Sequence, residues 1–387
     1  MGDTLRSCVR PVPREVPLTT TPRHGIRHIS RRSLLAATLT LIPAAPTAAE
    51  GTPTASAADL SMRLDRDMRG FVDGIGFGGA VLVAKGGRVV LRRAYGSADR
   101  VAKVPNTPET AFQIGSLSKA FTAMAIVQLA EAGRLSLDDP ITARIPEFPH
   151  PERDGVAVTL RQMLAHTSGI PDFLGFYDAG NPAAWPRSFA SLLADIEAKP
   201  LLFTPGAEYA YSNSAYDLLG VIVERVSGVS FEDYLSRRIF QPLGMTSSWL
   251  FAAPNPAPPV AVGYGRFRGV EIGVSMFSRV DLAFAAGGIT STVDDLLRWD
   301  RALLTDRLAT RASIAEMLAP GLHGYGLGWQ TETIAGHRSV GHDGTTIGYR
   351  SKLSRFLAAD ATIIVLANDQ RMDVDRVTAG LAATLLG

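Results

Sequence analysis

The chain has 387 residues, of which 46% are hydrophobic and 20% charged, a balance typical of a globular protein with a sizeable core. The net charge is +2, but residues 1–49 contain seven arginines against two acidic residues, so the rest of the chain is mildly acidic and offers no electrostatic basis for binding nucleic acid. The single cysteine, Cys8, lies in that basic segment, which excludes a disulfide, a Cys-ligated zinc ion and a thiol nucleophile from residues 50–387.

The basic N-terminal segment has the parts of an export signal. Residues 30–35 read Ser-Arg-Arg-Ser-Leu-Leu, and an apolar stretch interrupted by prolines follows to about Ala49. The paired arginines resemble a twin-arginine signal, so we predict a signal peptide over 1–49, a linker over 50–58 and an exported protein, periplasmic or secreted. A basic, disordered N-terminus is the alternative. The apolar stretch is too short for a membrane anchor, and no other segment approaches the ~20 apolar residues of a membrane span.

From residue 59 onwards, hydrophobic periodicity and turn residues predict alternating groups of helices and strands. In chain order these are a helix (59–73), two strands (80–84 and 89–95), helices in the middle of the chain (116–132, 214–226 and 292–304), three strands (337–343, 348–357 and 360–367) and a final helix (374–386).

This order of elements predicts an α+β, or α/β sandwich, fold. Because short connections join the strands, we expect both ends of the chain to complete one antiparallel sheet that is flanked by helices. The sheet is expected from about 59–115 and 285–387. A mostly helical domain over about 116–284 is inserted between these parts, with a cleft where the two meet.

Three common motif classes are absent or occur in the wrong context. Residues 74–79 match the G-x-G-x-x-G spacing of a dinucleotide-binding loop, but they precede a strand instead of following one. The nucleophile motif of the α/β-hydrolases, G-x-S-x-G, does not occur, and the seven histidines form neither H-x-H nor H-E-x-x-H. We therefore predict an enzyme that uses no metal ion and no other cofactor.

The only S-x-x-K in the chain is Ser116-Leu117-Ser118-Lys119. If a helix begins at Ser116, the serine hydroxyl and the Lys119 amine lie on one helix face. A buried lysine with a lowered pKa can act as a base for a serine nucleophile, and the helix N-terminus favours a developing oxyanion. A capping serine followed by a surface lysine is the structural alternative.

Two further motifs could complete such a site. Tyr211-Ser212-Asn213 precedes the helix at 214–226, where a tyrosine could transfer a proton and a carboxamide could orient a substrate amide. A core tyrosine and an asparagine N-cap are the alternative for this motif. Gly341-His342-Asp343-Gly344-Thr345 ends a predicted strand, whose backbone could pair with an extended peptide that Gly344 allows to approach closely.

In this order, S-x-x-K, Y-x-N and H-x-G resemble the serine β-lactamase and penicillin-binding protein superfamily. The resemblance is greatest to the branch that holds class C β-lactamases, serine D-alanyl-D-alanine carboxypeptidases and related esterases. It extends over about residues 60–387 and includes Leu164-Ala165-His166-Thr167-Ser168-Gly169-Ile170 and Tyr325-Gly326-Leu327-Gly328-Trp329. It implies a β-lactamase/transpeptidase-like fold, with a serine hydrolase domain over 59–387.

The resemblance also implies roles for individual residues. Ser116 attacks a carbonyl carbon and is acylated, and water then releases the acyl group. Lys119 and Tyr211 transfer the protons, in an order that the sequence leaves open, and the backbone N–H groups of Ser116 and Thr345 form the oxyanion hole. The implied catalytic residues are Ser116, Lys119 and Tyr211, and the implied substrate-binding residues are Asn213, His342, Gly344 and Thr345.

The third motif departs from that of many β-lactamases, which have a lysine where this chain has His342. Because an ordinary imidazole has a pKa near 6.5, we expect the capture of a substrate carboxylate to be weaker and pH-dependent. Arg350 is a candidate for the missing cation. Tyr325 and Trp329 either line the pocket or belong to the core, and an aromatic loop over 172–187 is expected to influence the choice of substrate.

The predicted function is that of an exported serine acyl hydrolase that forms an acyl-enzyme on Ser116 and acts on, or at least binds, a D-alanyl-D-alanine-type peptide or a β-lactam. An esterase on small acyl esters with the same residues is one alternative. A non-catalytic cell-wall peptide-binding relative is another, although the intact Ser116, Lys119 and Tyr211 argue against it. The expected partner is a small-molecule or peptide substrate, and the protein is expected to be a monomer.

Overall fold

The computed structural model describes residues 55–176, 188–250, 259–267, 270–273 and 284–387 of the chain. The predicted signal peptide and most of the predicted aromatic loop lie outside these ranges. None of the helices within the described ranges is long and apolar enough to cross a membrane.

The strands of the described ranges belong to one large sheet and several small ones. In chain order they are β1 (Gly79–Lys85), β2 (Arg88–Tyr95), β3 (Ser97–Asp99), β4 (Val104–Pro105), β5 (Phe112–Gln113), β6 (Glu152–Arg153), β7 (Val156–Ala157), β8 (Trp249–Leu250), β9 (Tyr264–Phe267), β10 (Val270–Gly273), β11 (Ile289–Ser291), β12 (Gln330–Ile334), β13 (His337–Thr346), β14 (Tyr349–Phe356) and β15 (Ala361–Ala367).

The helices lie mostly in the middle of the chain, and one long helix flanks the strands at each end. In chain order they are α1 (Ala55–Ile75), α2 (Ser118–Glu131), α3 (Leu160–Leu164), α4 (Phe189–Glu197), α5 (Asn213–Ser227), α6 (Phe231–Leu235), α7 (Gln241–Leu243), α8 (Phe284–Gly287), α9 (Val293–Ala302), α10 (Arg311–Leu318) and α11 (Val374–Leu386).

The large sheet has the strand order β12-β13-β14-β15-β1-β2, and every pair in it is antiparallel. The first strand of the sequence pairs directly with the last, with Val81 opposite Val365. This arrangement confirms the predicted fold class, an antiparallel sheet that both ends of the chain complete and that helices flank.

The two faces of the sheet bury different cores because side chains alternate along each strand. Val81 and Val365 belong to the cluster in which α1 and α11 cover one face. Leu82 and Ile364, one residue away in each strand, belong to the larger cluster that includes α2, α5 and α9. The second cluster therefore joins the sheet to the helical middle of the chain.

The turn that precedes α2 packs directly against β13. Gly115 has a φ of +53°, and residues Gly115–Leu117 form a single 3-10 turn, so α2 begins at Ser118 and not at Ser116 as the sequence predicts. The Ser351 hydroxyl on β14 donates a hydrogen bond to the Ile114 carbonyl oxygen at 2.7 Å. These contacts fix the position of Ser116 relative to the end of β13.

Several predicted helix starts are confirmed by their caps. The Thr159 and Gln162 side chains form a capping box at α3, and Thr292 accepts the N–H of Asp295 at α9. At α5 the cap is Ser212, whose hydroxyl accepts a backbone N–H. The alternative in which Asn213 serves as the N-cap is therefore wrong, and the Asn213 side chain is free to contact other groups.

Close packing between the turn and β13 predicts that Gly344→Ala destabilises the protein. A Cβ atom at Gly344 would lie 1.9 Å from the Ile114 carbonyl oxygen, so the two segments must separate. We expect the free energy of unfolding, measured by urea denaturation of the full chain, to fall by about 3 kcal/mol. Gly70→Ala is the matched control, because nothing lies within 4 Å of its added Cβ. Equal stabilities of the two variants would contradict the close contact.

Candidate active site

Ser116 and Lys119 are brought together with the amine inside the protein. Lys119 is completely buried, and its Nζ lies 3.1 Å from Ser116 Oγ, 2.7 Å from Asn213 Oδ1 and 2.8 Å from the Ala286 carbonyl oxygen. The last two oxygens can only accept hydrogen bonds. A neutral amine that donates its two protons to them keeps its lone pair for the Ser116 hydroxyl, which is the geometry that a general base requires.

Burial lowers the pKa of Lys119, since the charged form loses its hydration. The carboxylates of Asp217, Asp172 and Asp343 act in the opposite direction and limit the decrease. The amine is therefore more easily deprotonated than a surface lysine, and the alternative of a surface lysine after a capping serine is ruled out by the structure.

Tyr211 lies beside this pair. The Lys119 Nζ atom is 4.8 Å from the centre of its ring, and the ring packs against His166 with 4.2 Å between centroids. Burial raises the pKa of Tyr211 well above its usual range, and a hydrogen bond with the Ser116 side chain partly offsets the increase. The phenol is therefore protonated at neutral pH and can donate a proton.

Asn213 is oriented by Asp172, a residue that the sequence analysis did not assign to the site. The Asn213 Nδ2 group donates to the two Asp172 carboxylate oxygens at 3.2 and 3.0 Å, which directs Oδ1 towards Lys119. The same carboxylate caps the following turn by accepting the N–H of Leu174. No motif marks Asp172, because it approaches Asn213 from 41 residues away in the sequence.

Asp217 is a second acidic residue that the motifs did not reveal. It follows Asn213 by one helical turn in α5 and is completely buried. Its Oδ1 accepts the backbone N–H of Ala286 at 2.9 Å, and burial raises its pKa, with Lys119 acting in the opposite direction. The i, i+4 spacing from Asn213 is the one sequence signal that could have indicated a shared helix face.

His342 lies in the middle of β13, and both of its ring nitrogens are within hydrogen-bond distance of a partner. Nδ1 is 2.5 Å from the Asp343 carbonyl oxygen, which can only accept, so Nδ1 carries the proton. Nε2 then accepts a hydrogen bond from the Tyr325 hydroxyl at 2.9 Å. Burial, reinforced by the nearby Lys119 charge, lowers the pKa of His342 to about 4. The imidazole is therefore neutral around pH 7, in contrast to the sequence expectation of a group that titrates near pH 6.5.

Gly344 and Thr345 lie against the turn that carries Ser116. A Cβ atom on Gly115 would be 2.9 Å from the Thr345 backbone nitrogen, so the two backbones approach as closely as glycine permits. From the adjacent strand, Arg350 Nη1 donates to Thr345 Oγ1 at 2.6 Å, and Nη2 is 3.6 Å from Asp375. Arg350 is thus the cation beside Thr345, with part of its charge balanced by Asp375.

The remaining aromatic residues form the wall behind the site. Tyr325 and Trp329 are buried, and His166 is completely buried and accepts the Ser212 backbone N–H through Nδ1 at 3.0 Å. Tyr325 packs against His166 with 4.6 Å between ring centroids. The structure places Tyr325 in the core, where its hydroxyl group binds His342.

The fold is that of the serine β-lactamase and penicillin-binding protein superfamily, whose members are serine acyl hydrolases. The chain belongs to the Beta-lactamase family, since the model of that family matches residues 64–386.

Individual relatives differ in the activity that their names describe. PbpX of Bacillus subtilis strain 168, a protein named for penicillin binding, is 32% identical over 306 residues, which are 78% of this chain and 74% of PbpX. The octameric penicillin-binding protein homologue from Pyrococcus abyssi is 29% identical with a TM-score of 0.74, over 84% of this chain and 77% of that one. A D-stereospecific amidohydrolase from Streptomyces is 26% identical with a TM-score of 0.69, over 84% and 98%.

The neutral state of His342 predicts that stability falls in mild acid. The unfolded chain binds a proton at this residue below about pH 6.5, whereas the folded chain does so only near pH 4. The lowered pKa of His342 therefore stabilises the folded protein to its full extent only above pH 6.5. As the pH falls towards 4, the free energy of unfolding decreases by about 3 kcal/mol because of this residue.

Urea denaturation of the wild type and of His342→Gln across this pH interval measures the effect, and the variant is expected to show the smaller decline. His337→Gln, at an exposed position of the same strand, is the control and should follow the wild type. The same decline in all three proteins would show that His342 is charged in the folded protein.

Proposed function

We propose that this chain is an exported serine acyl hydrolase that forms an acyl-enzyme on Ser116 and acts on D-alanyl-D-alanine-type peptides in the manner of a carboxypeptidase, or reacts with β-lactams. The observation that carries the proposal is the buried Lys119 amine, 3.1 Å from Ser116 Oγ with its other two contacts to oxygen acceptors. Burying a lysine costs hydration free energy that an apolar residue at the same position would not lose. A lysine is therefore expected here only if its amine takes part in the chemistry.

In the proposed acylation step, Ser116 Oγ bonds to the substrate carbonyl carbon while its proton passes to Lys119 Nζ. The lowered pKa of Lys119 and the raised pKa of Tyr211 favour the lysine as the base and the tyrosine as a neutral donor. The backbone N–H groups of Ser116 and Thr345 are the proposed donors to the oxyanion.

The tetrahedral intermediate then collapses as its carbon–nitrogen bond breaks. Tyr211 is the proposed donor of a proton to the leaving amine, and Lys119 returns its own proton to the Tyr211 phenolate. Water then attacks the ester carbonyl carbon and gives a proton to the neutral Lys119 amine, which passes it to Ser116 Oγ as the ester bond breaks. No side chain other than those of Ser116, Lys119 and Tyr211 is needed for the proton transfers of this cycle.

The proposed peptide specificity is supported by the end of β13, which pairs with a neighbouring strand on one side only. Among the described residues, β12 pairs only with His337–Gly341 of β13, so residues 342–346 pair with β14 alone. An unpaired strand edge beside a nucleophile can bind an extended peptide by adding it to the sheet. Arg350 lies opposite Thr345 and is proposed to bind the terminal carboxylate of such a peptide.

An esterase on small acyl esters is the second candidate, and the neutral His342 favours it. The imidazole supplies no positive charge at neutral pH, so the site retains less attraction for a substrate carboxylate than one with a lysine there. Export is proposed on the N-terminal sequence alone, and a monomer is proposed although the Pyrococcus abyssi homologue is octameric.

The first prediction from this proposal is a covalent adduct. Intact-mass measurement after mixing the full chain with a penicillin should show the mass of the drug added to the wild type and absent from Ser116→Ala. Ser236→Ala, at a partly exposed position outside the site, should still form the adduct.

The outcomes separate the candidate reactions. A lasting adduct indicates a penicillin-binding peptidase, and hydrolysed drug without an adduct indicates a β-lactamase. If the folded protein gives neither product but hydrolyses short-chain nitrophenyl esters through Ser116, the esterase is correct. An adduct of full yield on Ser116→Ala would contradict the assignment of the nucleophile.

A second prediction concerns Arg350. Arg350→Gln should raise KM for a D-alanyl-D-alanine peptide by about tenfold or more, because a charge-assisted hydrogen bond to the carboxylate is lost. KM for the same peptide with an amidated C-terminus should change little. Arg338→Gln, at the exposed opposite end of β13, is the control. An equal increase in KM for the two peptides would show that Arg350 does not bind the carboxylate.

A further inference from the structure

A buried carboxyl group that the proposed mechanism does not use lies behind Lys119. Asp217 accepts the backbone N–H of Ala286 at 2.9 Å, and the carbonyl oxygen of the same Ala286 accepts a hydrogen bond from Lys119 Nζ at 2.8 Å. Ala286 belongs to the short helix α8, which packs on both α2 and α5. One residue of α8 therefore connects the acid on α5 to the amine on α2.

In the described part of the chain, Lys119 is the one cation that acts on the negative charge of the Asp217 carboxylate. Its side chain is completely buried, and the second oxygen, Oδ2, has no hydrogen-bond partner among the described residues. Lys119 is the cation that acts on it, and Asp172 is the other charged group that does so. Because burial raises the pKa of Asp217 to about 8, its carboxylate form is favoured only beside a cation, so the negative charge of Asp217 and the positive charge of Lys119 stabilise each other.

We propose that Asp217 is a positioning residue that stabilises the positive charge formed on Lys119 during acylation and holds the Ala286 carbonyl group against the amine. The inference rests on the proposed function, because it takes Lys119 as the base. In that step the Ser116 O–H bond breaks, its proton adds to Lys119 Nζ and the Oγ–carbon bond forms. A neutral amine thereby becomes an ammonium ion, which the aspartate stabilises as the acid of a Ser-His-Asp triad stabilises an imidazolium.

Other titratable groups surround Lys119, and they come from several elements. They are Asp172 before α4, Asp217 and Tyr216 on α5, Tyr211 before α5, His166 after α3, and His342 and Asp343 on β13. The two histidines are uncharged because burial lowers the pKa of each. Asp172 binds the Asn213 amide as well as the Leu174 N–H, whereas Asp217 accepts only backbone N–H groups, so Lys119 is the one cation that acts on its buried charge among the described residues.

The test is the pH dependence of acylation in Asp217→Asn. Asparagine keeps an oxygen that can accept the Ala286 N–H but removes the negative charge, so Lys119 loses its proton at lower pH. With p-nitrophenyl acetate as the probe and the acyl-enzyme followed by intact mass, the acidic limb of the rate profile should move to lower pH. The plateau should fall by about tenfold or more, because the ammonium ion is less stabilised. Asp217→Ser is a second uncharged variant, for which the same displacement is expected if the asparagine variant does not fold.

The matched control is Asp300→Asn. Asp300 is also a completely buried acid, but its partners are Arg355 and Thr362, outside the site. Its loss should lower stability and leave the acidic limb where it is in the wild type. An unchanged limb and plateau in folded Asp217→Asn would overturn the inference while Ser116 acylation still stood. A wild-type chain that forms no adduct on Ser116 would contradict the proposed function itself.

Discussion

The burial of the Lys119 amine is the constraint on which the rest of the site depends. A completely buried lysine must find acceptors inside the protein, and it finds them on three separate elements: the turn with Ser116, helix α5 with Asn213, and helix α8 with Ala286. Each acceptor is held by its own packing, so the amine is fixed without a salt bridge. The result is a base that can be neutral at the pH at which a surface lysine is charged.

The site is otherwise poor in positive charge, and this affects how it can hold a substrate. His342 is neutral because burial and the Tyr325 hydroxyl hydrogen bond both favour the uncharged ring. The cation nearest to Thr345 comes instead from the neighbouring strand, as Arg350. We therefore propose that backbone pairing along residues 342–346 is the main means of orienting a substrate, with charge acting only at its end.

Most of the sheet could be predicted from the sequence because its signals are local. Continuous runs of apolar residues mark β1 and β15, and the capping box at Thr159 is four residues long. The S-x-x-K motif is also local, so it predicted the serine–lysine contact correctly even though α2 begins only at Ser118. The later start depends on the positive φ of Gly115 and its packing on β13, which are tertiary features.

The rest of the site could not be predicted because it depends on burial and on distant contacts. Asp172 and Asp217 form hydrogen bonds with Asn213 and Ala286, which lie 41 and 69 residues away from them in the sequence. The expectation that His342 titrates near pH 6.5 was wrong for the same reason, since a side chain's pKa follows its environment and not its type.

The contact between the turn with Ser116 and the end of β13 affects both the stability of the protein and the position of the proposed nucleophile. The glycines Gly115 and Gly344 allow the two backbones to touch, and no larger residue can replace Gly344 without moving the strand from the nucleophile. The strand in turn is held by β14 and β15, and β15 is held by β1 from the start of the domain. The proposed oxyanion-binding geometry therefore forms only once β1 has paired with β15. A change far from Ser116 that weakens this pair is expected to loosen the site before it unfolds the helical core.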